Sequence, residues 1–193
     1  MCTSRSSTRT RRETGPGETQ PMGPLVVNVA DLLHRRGAHR HERLIAPSLA
    51  GLAVVGTIVP PDEPVTVDVD LESVSNGILA TGSVSARWRS ECRRCLADVT
   101  DEARGHFQEL FEPDAREGET YPLLHEHVDL EPLARETLLL ELPLAPLCRE
   151  ECRGLCPTCG ADLNQGACRC APAGRDPRWE ALDELRDQLN LTD

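Results

Sequence analysis

The sequence predicts an α+β fold, in which a mainly antiparallel β-sheet or partly open barrel carries packed helices and a C-terminal Cys-rich segment. Three observations predict this class. Two consecutive stretches between residues 65 and 88 alternate apolar and polar residues, which is typical of half-buried strands. Apolar residues between 130 and 138 recur at helical spacing. Eight of the nine cysteines fall into four close pairs, three of them after residue 147.

The first element is an Arg-rich polar segment, residues 1–22, which has little to bury and is predicted to be a disordered basic tail. A core domain, residues 23–147, follows. It opens with the apolar stretch Leu25–Val29 and a helical turn capped by Asn28. Residues 34–43 contain four Arg and three His, and are predicted to form either a basic contact strip or an exposed loop.

The two alternating segments are predicted to form a hairpin. The inward face of the first segment consists of Val65, Val67, Val69 and Leu71. Asn76-Gly77, the preferred central pair of a tight hairpin turn, separates it from the second segment. A two-residue turn at this pair predicts that Val69 faces Val84. The same parity places Trp88 in the core rather than on a surface where it could stack on a base.

Three further segments complete the predicted sheet region. Residues 53–59 are predicted to add a strand. Residues 96–111 fit a helix or a strand, and a strand is favoured because a Cys turn at 92–95 would send the chain back along the hairpin. Residues 112–128 are predicted to form an acidic loop.

A helix is predicted to end the core domain, with Asp129 as its cap and Pro143 at its end. The residues spaced to face the core are Leu130, Leu133, Ala134 and Leu138. Residues 148–171 are predicted to form a zinc-binding Cys-rich segment, and residues 172–193 a C-terminal helix.

Composition excludes several classes of function. All 21 basic residues are arginine, which removes lysine Schiff-base chemistry and the lysine-containing phosphate loop. The net charge of −11 argues against binding nucleic acid with the whole surface. Because no stretch has the length of a membrane helix or of a signal peptide, we expect a cytoplasmic protein without a membrane partner. Thiols stay reduced in that compartment.

The cysteine pairs, in chain order, are Cys92/Cys95, Cys148/Cys152, Cys156/Cys159 and Cys168/Cys170. In a reducing compartment, such pairs indicate metal ligands rather than disulfides. A tetrahedral zinc ion accepts four thiolates, so four pairs predict two Zn²⁺ ions. The third pair, followed by Gly160, has the form of a zinc knuckle, since glycine permits the positive-φ turn that exposes backbone amides to sulfur.

Two divisions of the cysteines are open. In one, the third and fourth pairs share an ion, and the first and second pairs share the other. In the alternative, the second and third pairs share an ion, which leaves the first pair with the fourth. Spacing alone does not decide between them.

No catalytic motif is found in the sequence, and no small-molecule substrate is expected. His125-Glu126-His127 lacks the four-residue spacing that puts two ligands on one helix face. A dithiol centre at Cys92 and Cys95 is disfavoured, because the pair follows a strand instead of opening a helix. The alternative that stays open is a zinc-dependent redox sensor or a redox-regulated holdase, since Cys-x-x-Cys with Cys-x-Cys also occurs in redox-regulated chaperones.

Charge is distributed unevenly along the chain. Four arginines within residues 86–95 form the only dense basic focus of the chain after residue 45, whereas residues 96–147 carry thirteen acidic residues and three Arg. The acidic stretch suits a basic partner or is a solvated face. The candidate RNA contacts are Arg87, Arg89, Arg93 and Arg94, with Arg35, Arg36 and Arg40 from the strip at 34–43.

Four features together resemble the YceD family: Cys92-Arg-Arg-Cys95-Leu96, the acidic middle of the chain, the helix end Leu140-Glu-Leu-Pro143, and the Cys-rich stretch 148–164 with its Gly-Leu-Cys-Pro-x-Cys-Gly segment. The resemblance covers residues 24–171, and it is to the Cys-rich, actinobacterial-type version of the family. It implies a non-catalytic factor for 23S rRNA accumulation and large-subunit assembly. The implied partners are the large-subunit rRNA precursor, a basic ribosomal protein, or both. Because members outside this branch keep the first Cys pair but can lose the knuckle, the resemblance also favours the first and second pairs as the older site.

Overall fold

The computed structural model describes residues 23–170, together with the single positions Arg178 and Leu182. The predicted basic tail lies outside the described residues, as does the predicted C-terminal helix apart from these two positions. Within the described part, the elements are β1 (Val26–Asn28), α1 (Ala30–Leu33), β2 (His39–Ala46), β3 (Ala53–Val54), β4 (Thr57–Ile58), β5 (Val65–Val74), β6 (Gly77–Glu91), β7 (Asp98–Glu112), β8 (Tyr121–Leu124), β9 (His127–Asp129) and α2 (Glu131–Glu141).

The strands form one open sheet in the order β1-β9-β8-β7-β6-β4-β3, and β5 pairs with both β6 and β2. All pairs are antiparallel except β7 and β8, which run parallel. The long strands β6 and β7 pair along nearly their whole length, and they form the spine of the molecule. The predicted strand-rich, mainly antiparallel class with few helices is therefore confirmed. The sheet is open rather than closed into a barrel.

The alternation in β5 and β6 puts the predicted residues in the core. Val65, Val67 and Val69 are fully buried, while the polar residues between them are more accessible. Trp88 is only 7% exposed, so its ring packs in the core and is not available to stack on a base. Residues 98–112 are a strand, as favoured from the sequence.

The predicted hairpin register is wrong by two residues. Val67, not Val69, faces Val84, because the turn lies at residues 75–76. Gly77 is the first residue of β6, where any Cβ atom would clash with the carbonyl oxygen of Phe111 in β7. Gly77 therefore serves close packing between strands and not the turn. A shift of two residues leaves each side chain on its original face, which is why the predicted core survives the error.

Three predicted loops or strands differ from the structure. Residues 53–59 form the short hairpin β3–β4 instead of one strand, because Val55 and Gly56 both adopt positive φ and reverse the chain. The acidic segment 112–128 contains β8 and most of β9, so it is not a loop throughout. The second half of the strip at 34–43 lies in β2, paired with β5, and not in a loop.

The helix α2 covers β7 and carries the chain to the Cys-rich segment. The Asp129 Oδ1 atom accepts a hydrogen bond from the Glu131 N–H at 3.0 Å, and the helix ends before Pro143. Its core-facing residues, all buried as predicted, are Leu130, Leu133, Ala134 and Leu138. After the helix, the Pro143 carbonyl oxygen accepts a hydrogen bond from the Thr57 hydroxyl at 2.7 Å. No helix in the described part of the chain is long and apolar enough to cross a bilayer.

Candidate metal centres

The eight paired cysteines form two clusters, and in each the four Sγ atoms lie within 4.8 Å of one another. The first cluster consists of Cys92, Cys95, Cys148 and Cys152. The second cluster consists of Cys156, Cys159, Cys168 and Cys170. Of the two divisions left open by the sequence, the structure has the one that joins the first pair to the second and the third to the fourth.

The sulfur spacing in both clusters fits four thiolates around one ion. The Sγ–Sγ distances are 3.8 Å between Cys92 and Cys152, 3.6 Å between Cys95 and Cys148, and 3.4 Å between Cys156 and Cys168. A tetrahedral ion with Zn–S bonds of about 2.3 Å separates its sulfurs by about 3.8 Å. A disulfide needs about 2.05 Å, and all eight cysteines are free thiols. Each cluster could therefore hold a metal ion.

Both clusters are built on the same backbone turn. In the first, the Leu96 N–H donates to the Cys92 carbonyl oxygen at 2.9 Å, and the Cys92 N–H donates to that of Ala97 at 2.8 Å. In the second, the Gly160 N–H donates to the Cys156 carbonyl oxygen at 2.9 Å. Residues 92–98 and 156–162 share the pattern Cys-x-x-Cys-x-Ala-Asp. This local repeat was not predicted, although its pattern is visible in the sequence.

Backbone amides in these turns point at sulfur and stabilise the thiolate. The pKa of Cys92 is lowered to about 6, chiefly by a hydrogen bond from the Cys148 backbone, which lies outside the turn, and also by the Cys95 and Arg94 backbone within it. The Cys159 backbone amide is the largest cause that lowers the pKa of Cys156, also to about 6. By contrast, the hydrogen bond with the Cys95 thiol raises the pKa of Cys148 to about 12. Each cluster thus contains at least one thiol whose pKa is lowered, and a divalent ion would displace the remaining protons.

The first cluster joins the end of the β6–β7 hairpin to the segment that follows α2. The Arg94 Nη1 atom donates to the carbonyl oxygens of Glu150 and Cys152, at 3.1 and 2.9 Å. Its own carbonyl oxygen accepts from the Leu155 N–H at 3.0 Å. Gly154 has a φ of 74°, and a Cβ atom there would lie 2.9 Å from the same Arg94 oxygen. The sequence folds this way locally because only glycine fits between the turn and the arginine.

A side chain of the second turn also supports the first cluster. The Asn164 Nδ2 atom donates to the Cys152 Sγ atom at 3.5 Å, while its Oδ1 atom accepts from the Arg153 N–H at 2.8 Å. Asp162 in turn orients this amide, because its Oδ1 atom accepts from Asn164 Nδ2 at 2.7 Å. The loop that lies between Cys159 and Cys168 of the second cluster thus donates a hydrogen bond to a sulfur of the first cluster.

The seven arginines proposed as RNA contacts differ in their surroundings. Arg40 is engaged within the fold, with Nη1 2.8 Å from Asp31 Oδ1 and Nη2 2.7 Å from the Asn28 carbonyl oxygen. Arg94 holds the first cluster together, as described above. The remaining five are exposed: Arg35 and Arg36 in the turn after α1, Arg87 and Arg89 on β6, and Arg93 in the first Cys turn.

Comparison with known proteins identifies the family. The family model described as Large ribosomal RNA subunit accumulation protein YceD matches residues 80–186. This chain belongs to the YceD family. An uncharacterized protein of Mycobacterium tuberculosis is 36% identical over 190 residues, which covers 90% of this chain and 87% of that protein. The resemblance seen in the sequence is confirmed.

Two further relatives extend the family range. An uncharacterized protein of Mycobacterium leprae is 31% identical over 189 residues, 94% of this chain and 86% of that protein. The chloroplastic Large ribosomal RNA subunit accumulation protein YCED homolog 1 of Arabidopsis thaliana is 25% identical over 177 residues, 74% of this chain and 55% of that protein. No solved structure matches this chain.

Proposed function

We propose that this YceD-family chain is a non-catalytic ribosome-biogenesis factor that supports accumulation of the large-subunit rRNA and assembly of the large subunit in the bacterial cytoplasm. The observation that carries the proposal is the family match, since the family is described by large ribosomal RNA accumulation and the plant relative has the same description. Its partners would be the rRNA precursor, a basic ribosomal protein, or both. Arg35 and Arg36, exposed in one turn, are the simplest candidates for contact with phosphates.

We further propose that Zn²⁺ occupies both clusters and stabilises the fold. Four thiolates at tetrahedral spacing are the ligand set that zinc takes in structural sites, where every coordination position is filled by protein. Zinc supplies binding energy that is also folding energy. In the first cluster this energy would fasten the hairpin end to the segment after α2. In the second, it would close the Cys-rich segment locally.

Depletion of the protein in its own host tests the proposed function. The ratio of 23S to 16S rRNA should fall, and wild-type protein should restore it. A Cys92→Ser/Cys95→Ser variant should restore it poorly, because the first cluster is lost. The matched control is Cys2→Ser, which changes the one cysteine outside both clusters. An unchanged ratio after depletion would contradict the proposal.

Metal analysis of protein purified without chelators tests the zinc assignment. We expect two zinc ions per chain, four sulfur neighbours at each ion by X-ray absorption, and cooperative loss of structure on chelation. A fully folded protein without stoichiometric zinc would contradict the assignment. Zinc release by mild peroxide, coupled to gained binding of unfolded proteins, would instead support a redox-regulated holdase.

A further inference from the structure

Two adjoining cavities form a groove across β4, β6 and β7, between the β3–β4 turn and the first Cys turn. The larger has a volume of about 700 Å³ and the smaller one of about 510 Å³. Arg89 and Thr100 line both cavities, so the two form one continuous depression. This size is in the range of ligand-binding sites. We call this depression the β6 groove.

Two exposed aliphatic side chains line the larger cavity of the β6 groove, one from each turn. Val55 is 63% exposed and Leu96 is 60% exposed. The Ser90 hydroxyl holds the β3–β4 turn against β6, since it donates to the Gly56 carbonyl oxygen at 3.2 Å. The groove is therefore flanked by apolar side chains on two tight, anchored turns.

Val55 and Leu96 both have positive φ, a backbone conformation that disfavours residues other than glycine. Val55 and Gly56 have φ values of 38° and 87°, as in a type I′ turn, where Asn-Gly is preferred and a β-branched residue is disfavoured. Leu96 has a φ of 61°, whereas the equivalent position in the second Cys turn is Gly160, at 72°. The second Cys turn thus shows that this type of turn also forms with glycine at the position equivalent to Leu96. Strained non-glycine residues of this kind cluster at functional sites.

Charge around the β6 groove favours a basic partner over a phosphate backbone. Three arginines line it, but carboxylates outnumber them. The charged lining residues are Arg87, Arg89 and Arg93, with Glu63, Glu91, Asp98, Asp101 and Glu102. Arg87 faces Glu102 directly across the β6–β7 pair. An RNA strand would meet a net negative surface here, whereas a cationic segment would find both carboxylates and an apolar contact.

We propose that the β6 groove binds an extended polypeptide segment that carries basic and aliphatic side chains, with an aliphatic side chain seated between Val55 and Leu96. This proposal adds a binding site to the proposed function. It rests on that function only in placing the basic partner within an assembling large subunit. The basic side chains of the segment would pair with the carboxylates at the groove edges. The side chains of Val55 and Leu96 would offset their backbone strain through this contact.

The test uses the full zinc-loaded chain and a fluorescein-labelled ten-residue peptide of alternating lysine and leucine. Glutamate–leucine peptide and a ten-nucleotide single-stranded RNA serve as comparison probes. The decisive variant is Val55→Asn/Leu96→Gly, which removes both aliphatic side chains from the groove and gives each turn a residue that its backbone conformation prefers. We expect peptide affinity to fall by about tenfold. The melting temperature should stay unchanged or rise by about 2–4 °C, because strain is relieved.

A matched control separates the groove from general apolar exposure. Leu140 on α2 is 86% exposed, and Leu140→Ala should leave peptide affinity within about twofold. Equal loss in both variants, or no binding of the lysine–leucine peptide, would overturn the proposal. Preferential binding of the RNA probe, weakened by the groove variant, would assign the groove to RNA instead. If depletion leaves the ratio of 23S to 16S rRNA unchanged while the peptide still binds the groove, the proposed function is contradicted and the groove assignment stands.

Discussion

The hydrogen bond between Asn164 and the Cys152 sulfur predicts that the second Cys turn tunes metal affinity at the first cluster. In Asn164→Ala, the sulfur loses an N–H donor at 3.5 Å and the Arg153 N–H loses its acceptor at 2.8 Å. Loss of a partner that orients a metal ligand commonly costs 10–100-fold in affinity, or about 1.4–2.7 kcal/mol. We expect the zinc affinity of the first cluster to fall by about that factor. Asn164→Asp should cost more, because a carboxylate would face the thiolate.

Stepwise competition with a chromophoric chelator measures the two affinities separately, and Co²⁺ substitution reports thiolate coordination. Gln165→Ala is the control, since the Gln165 amide contacts Asp162 in the same loop at 3.1 Å. It should change the first-cluster affinity by less than about twofold. The reasoning is refuted if Asn164→Ala leaves the first-cluster affinity unchanged, or if both clusters weaken equally.

Three more substitutions test the packing around the clusters and the sheet. Gly154→Ala should destabilise by about 1–3 kcal/mol more than Gly118→Ala in urea unfolding, since both have positive φ but only Gly154 abuts Arg94. Arg94→Ala should weaken metal binding at the first cluster by freeing residues 148–152, whereas Arg94→Lys should restore part of it. The Thr120 hydroxyl holds the pKa of Glu112 below its ordinary value of 4.5. The resulting stability is present above that value and lost as pH falls through the folded pKa, so Glu112→Gln should flatten the pH dependence of the unfolding free energy below pH 4.5.

Local patterns predicted the central part of the fold well. The alternation in β5 and β6 and the helical spacing of α2 located the core, because burial of one face repeats over many residues. The hairpin register failed, since it depended on one dipeptide. Gly77 is required by a contact with Phe111, which lies 34 residues further along the chain. No local pattern contains that contact.

Short strands were missed for a related reason. β8 and β9 have four and three residues, lie in an acidic stretch, and are held by β7 and by β1. β1 is paired with β9 across about a hundred residues of sequence, so neither strand carries enough alternation to be recognised alone. β2 was also not recognised as a strand, because it has too few apolar residues to reveal the two-residue alternation of a strand.

The cysteine clusters show where spacing stops being informative. Their residue types predicted metal ligands, yet the division between clusters depends on β7 running back along β6 and on α2 covering β7. Only this arrangement brings residues 148–152 to Cys92. The hydrogen bond from Asn164 to Cys152 depends on the same arrangement, and so does the β6 groove. Neither was therefore predicted.

The two clusters constrain the chain to different extents. Cys92 and Cys152 are 60 residues apart, whereas Cys156 and Cys168 are 12 apart. Loop-closure entropy grows with the logarithm of loop length, so an ion in the first cluster constrains the unfolded chain by about 1.4 kcal/mol more. The first cluster also borders the β6 groove, which Cys92 and Leu96 line. A metal ion in the first cluster would therefore fix both the hairpin end and one side of the groove, and Asn164 donates to a sulfur of that cluster.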